Sequence, residues 1–110
     1  MTVNLEQDPQ YDMMFSLLAQ KTTEGKLEWQ ETADPNAFLA AVRGQRTFEV
    51  RTEEGVKGVQ LIVRDVDGKV YLTTPFSRSD DARALYFIAR RLALRLDERV
   101  DKTVELLAGL

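Results

Sequence analysis

The chain has 110 residues, 44 % of them hydrophobic and 30 % charged, which suits one globular domain with a modest core and argues against bulk disorder. Its net charge of −3 provides no general attraction to nucleic acid or anionic membranes. Cysteine and histidine are absent, which excludes disulfides, thiolate chemistry, Cys/His zinc sites and imidazole acid–base catalysis.

The opening MTVNLEQDPQ lacks the basic and apolar regions of a signal peptide, and no apolar run is long enough to span a bilayer. Cytoplasmic residence is the resulting expectation. Residues 1–7 read as a flexible tail, and 8–110 as a single domain. Asp8 looks like a helix N-cap with Pro9 at the first helical position, where its missing N–H costs nothing. Tyr11, Met14, Phe15 and Leu18 recur at helical spacing, and Gly25 provides a stop. This one-sided helix needs a platform.

The platform is predicted to be an antiparallel sheet. Lys26–Glu31 alternates, with Leu27 and Trp29 on one side, and Thr47–Thr52 alternates around Phe48 and Val50. Val59–Val66 and Lys69–Thr74 flank Asp67-Gly68, a pair that favours a two-residue hairpin turn with both φ values positive. Pairing Val66 with Lys69 sets Val63 against Leu72, Leu61 against Thr74, Arg64 against Tyr71 and Ile62 against Thr73. Residues 34–44 read two ways. Asp-Pro and Gly44 imitate helix ends, whereas Phe38, Ala40 and Val42 alternate. The strand reading is preferred because the meander then runs unbroken through five strands. The inward set is Leu27, Trp29, Phe38, Val42, Phe48, Val50, Leu61, Val63, Val70 and Leu72. Glu53–Gly58 reads as an exposed connection.

From Asp80 to Leu110 the pattern is that of one long amphipathic helix packed on one sheet face. Leu85, Ile88, Ala89, Leu92, Leu96, Val100, Val104 and Leu107 make its apolar side, at about 100° of rotation per residue. Ser79 or Asp80 is the expected cap, with acids beside the positive helix end. The fold class is therefore α+β: an N-terminal helix, a five-stranded antiparallel meander, and a long C-terminal helix.

Candidate chemistry is sparse. Arg91, Arg95, Arg99 and Lys102 line one flank of the last helix, with Arg83 and Arg90 farther round, and such a row suits phosphate contacts. Interleaved acids and the net negative charge fit a solvated flank instead. Asp97, Asp101 and Glu105 share another row, and Asp65 and Asp67 flank the hairpin turn. Clustered carboxylates can hold a divalent ion or divide acid and base roles, but turn chemistry explains Asp67. The DVDG segment does not complete a calcium loop, and the glycines form no phosphate-binding loop. Ser16, Ser77 and Ser79 have no histidine partner, and no local motif supports a Ser–Lys pair.

Phe87 and Leu94 stand out. They lie two helical turns apart on the side expected to face water, and a cluster of exposed apolar residues marks an interface.

GKLEWQET, FLAAVRG, RDVDGKV and ALYFIARRLALRLDERVDKTVELLAGL occur in an order that resembles a group of small bacterial proteins. These share a Gly-Lys-Leu-x-Trp strand, an Asp-x-Asp-Gly turn and a final Leu-Tyr-x-x-Ala-Arg-Arg helix. The resemblance covers most of the chain after Leu17. It implies the α–β-meander–α order and a strand at Phe38–Val42, and it brings no catalytic residue with it.

These readings converge on a non-catalytic interaction module that needs no metal or cofactor and forms a homodimer or binds another protein. Phe87 and Leu94 are the expected anchors, with Arg90 and Arg91 giving orientation. The alternatives are nucleic-acid binding through Arg91, Arg95, Arg99 and Lys102, and a carboxylate-based ligand binder or enzyme.

Overall fold

The computed structural model describes residues 9–42, 44–52 and 58–110. The tail, the Asp8 cap and most of the Glu53–Gly58 connection lie outside that set. The chain runs α1 (Pro9–Thr23), β1 (Gln30–Glu31), β2 (Ala37–Val42), β3 (Arg46–Thr52), β4 (Val59–Arg64), β5 (Val70–Thr73), a short 3-10 turn at Phe76–Arg78, α2 (Ser79–Ala93) and α3 (Leu96–Ala108). Each strand pairs antiparallel with the next, in the order β1-β2-β3-β4-β5. This is the expected α+β meander. Among the described residues, no helix is long and apolar enough to cross a membrane.

Residues 37–42 form a strand because Asp34-Pro35 starts a turn, not a helix. The Asp34 carboxylate accepts the Asn36 N–H at 2.8 Å, and its backbone oxygen accepts the Ala37 N–H at 3.2 Å. The pairing Phe38–Val50–Leu61 then makes one buried row, and Ala40–Phe48–Val63–Leu72 the next. α2 lies across these rows with Ala82, Leu85, Tyr86 and Ala89 buried. The Tyr86 and Phe38 rings tilt against each other, with centroids 5.5 Å apart. α1 packs against α2 and adds Phe15 and Leu18 to the same core. Arg78 fastens the two helices by pairing with Asp12 of α1 and, at 3.2 Å, with Asp81 of α2.

Three local expectations need correction. The β4–β5 turn is not a two-residue turn. Asp65 exchanges backbone contacts with Gly68 and Lys69, its carboxylate accepts the N–H groups of Asp67 and Lys69, and only Gly68 has positive φ. The extra turn residue is matched by a bulge. Val63 opposes Leu72 as expected, but Arg64 opposes Val70 and leaves Tyr71 outside the register. The slip turns Val70 away from the core face, and it is exposed. Second, the Ser79 hydroxyl caps no helix; it accepts the Val59 N–H at 2.9 Å across the α2–β4 junction. Third, the C-terminal helix is interrupted after Ala93, and only its first half, α2, lies on the sheet.

Among the described residues no helix packs on the other sheet face. There Glu49, buried among its neighbours, accepts from Arg64 at 2.6 Å and Arg51 at 3.1 Å, and Arg51 continues to Asp34 at 2.7 Å. Glu49 and Arg64 on adjacent strands, with Arg51 beside Glu49 on β3 and Asp34 in the preceding turn, satisfy one another on this face.

Candidate functional site

The interruption is built by two residues. Leu94 ends α2 with its N–H bonded to the Arg90 oxygen at 3.0 Å, and Arg95 follows at φ 51°, ψ 48°. Arg95 is the only residue other than glycine with positive φ among those described. A left-handed turn at this point closes one helix and redirects the chain into the next. Arg91 and Asp97 lock the corner, with guanidinium–carboxylate distances of 2.9 and 2.6 Å. Positions six apart lie on different faces of a continuous helix, so this pair exists because the helix is broken. Asp97 holds the Arg91 pKa above its ordinary value.

The break changes what α3 can bury. None of its residues is buried. Val100, Val104 and Leu107 are 57 %, 58 % and 61 % exposed, although their spacing predicts a core-facing stripe. With half-buried Leu96 they fall within about 80° on the helix wheel. Arg99 and Lys102 flank the stripe on one side, Asp97 and Asp101 on the other. α3 is thus an amphipathic helix whose apolar side is buried by none of the described residues.

The sequence-predicted anchors separate. Phe87 is exposed at 59 %, edge-on to Tyr86 with centroids 5.7 Å apart, and Arg90 and Arg91 are exposed beside it on α2. Leu94 instead is half-buried and packs against the core.

The predicted basic row also changes character. Arg91 is committed to Asp97. Arg95, Arg99 and Lys102 line an open cleft of about 940 Å³ between α3, the end of α1 and the β1 edge. Glu28, Glu31 and Glu98 line the same cleft, so its walls carry both signs of charge.

A second concavity, about 590 Å³, lies between α1 and the sheet. Met13, Met14, Leu17, Leu18, Val42 and Phe48 make its apolar floor, and Lys21 and Lys26 are the charged residues at its edge. Sequence reasoning placed Val42 in the core and gave Met13 and Leu17 no role; all three are exposed here. Both lysines contact Glu24, at 3.6 and 3.2 Å. That contact, with a hydrogen bond from Gln20 as the largest influence, holds the Glu24 pKa below the ordinary carboxylate range.

Among the described residues no group of three or more Asp or Glu side chains is placed to hold a metal ion. Asp65 is spent on its turn and Asp97 on Arg91. No family model, no curated protein and no solved structure matches the chain.

Proposed function

We propose that this protein is a non-catalytic interaction module of the cytoplasm that self-associates through its C-terminal helix. The observation that carries the reading is the exposed stripe Val100, Val104 and Leu107 on α3. Thirteen residues is near the lower limit for a helix that holds in water without tertiary support, and α3 finds little support in its own chain. An apolar side on such a helix is explained by a partner. Phe87 on α2, with Arg90 beside it, is a second exposed anchor for the same role.

Magnitude limits what the stripe does alone. Each of its three residues gains about 1–2 kcal/mol on burial from its present exposure, hence roughly 6–12 kcal/mol for six residues in a symmetric dimer. Association costs roughly 4–15 kcal/mol. The receiving surface must therefore be apolar too. Nucleic-acid binding draws less support, since Arg91 is paired and the other cations share their cleft with three glutamates.

Light scattering across a dilution series, beside Val100→Ser/Val104→Ser, tests the reading. The expected result is a wild-type dimer that dissociates on dilution and a folded, monomeric variant. A wild-type monomer at all concentrations contradicts it.

A further inference from the structure

We propose that α3 of one copy docks in the apolar groove between α1 and the sheet of a second copy, and that the exchange is reciprocal. The inference rests on the self-association reading and specifies its geometry.

Two features match. The groove runs along α1 from Gln10 to Lys21, and the stripe runs along α3 from Leu96 to Leu107; each spans eleven steps, about 17 Å. Both surfaces are apolar and left open by the described residues, with Leu17 46 % and Val104 58 % exposed. Reciprocal docking covers both at once and repeats the gain by two-fold symmetry, whereas pairing α3 with α3 leaves Met13, Leu17 and Val42 in water. Lys21 and Lys26 stand at the rim of the groove, both in contact with Glu24, and Asp101 borders the stripe opposite Arg99 and Lys102, so charge is balanced across the contact and the match is carried by length and apolar cover.

The chain contains no cysteine, so two single substitutions at exposed positions, Leu17→Cys and Val104→Cys, introduce unique thiols. The two variants are mixed at low concentration, reconcentrated and treated with a short bismaleimide. Circular dichroism checks that each is folded, and light scattering that each retains the wild-type mass. The expected result is a covalent dimer in the mixture, up to about one half of the dimers by random pairing, and little in either variant alone. Strong crosslinking of Val104→Cys with itself overturns the proposal in favour of α3–α3 pairing. A dimer by scattering with no crosslink in the mixture also overturns it and leaves self-association standing. A monomer overturns both.

Discussion

The left-handed Arg95 makes a prediction whose sign depends on the break. At φ 51° a side chain with a Cβ costs about 1–2 kcal/mol relative to the right-handed region, and glycine avoids this. Glycine also frees the unfolded chain, which returns about 0.4–1 kcal/mol of that gain. Arg95→Gly should therefore favour the folded corner over Arg95→Ala by about 0.5–1 kcal/mol, a two- to fivefold change in the ratio of formed to frayed α3. The alanine variant controls for loss of the arginine side chain, which is exposed. In an uninterrupted helix the order reverses, because glycine in a helix interior costs about 1 kcal/mol relative to alanine. The assay is the set of Cα secondary chemical shifts across residues 96–108 in dilute protein. Greater helicity in Arg95→Gly than in Arg95→Ala agrees with the corner. Lower helicity in the glycine variant refutes it.

Three other positions give independent tests. Gly58 has φ +107°, and a Cβ there would lie 2.3 Å from the Ser79 hydroxyl that accepts the Val59 N–H. Gly58→Ala should cost about 2–4 kcal/mol and lower Tm by about 10 °C or more; an unchanged Tm contradicts the close approach. The Trp29 indole donates to the buried Thr22 hydroxyl at 2.9 Å, which itself donates to the Leu18 oxygen at 2.7 Å. Thr22→Val should cost about 1–3 kcal/mol in urea unfolding followed by Trp29 fluorescence, and Thr22→Ser much less; equal stability of the two variants refutes the hydrogen bond as the cause. Because the Glu24 pKa is lower in the folded protein than in the unfolded chain, its ion cluster stabilises above the unfolded value. That contribution fades as pH falls through the folded value. Its carboxyl NMR titration should have a midpoint below that of the same residue in the unfolded chain, moving up in Gln20→Ala; a midpoint at or above the unfolded-chain value contradicts the arrangement.

The sheet was legible because alternation and turn chemistry agree. Phe38, Ala40, Val50, Leu61 and Val63 point inward as their spacing predicts, and the Asp-Pro pair resolves as a turn. Residues that act through backbone geometry were not legible. Nothing in the sequence marks the Tyr71 bulge, and the left-handed corner falls on an arginine where glycine or asparagine is the usual signal. Thr22 lies in a polar run, and its role depends on where Trp29 arrives in three dimensions. One clue to the corner was present. A helix over 80–110 measures about 45 Å, while five strands are only about 24 Å across, so its far end had to overhang. The heptad-like spacing of Val100, Val104 and Leu107 correctly marks an apolar side. It does not place a surface of the same chain against that side.

The central claim is that α3 is completed by a second copy. Amide hydrogen exchange across α3, measured over a dilution series, tests it most directly. Since α3 buries none of its residues within the protomer, its protection should rise with protein concentration, together with that of α1 along the groove, and vanish on dilution. Exchange in α3 that is the same at every concentration would contradict the account.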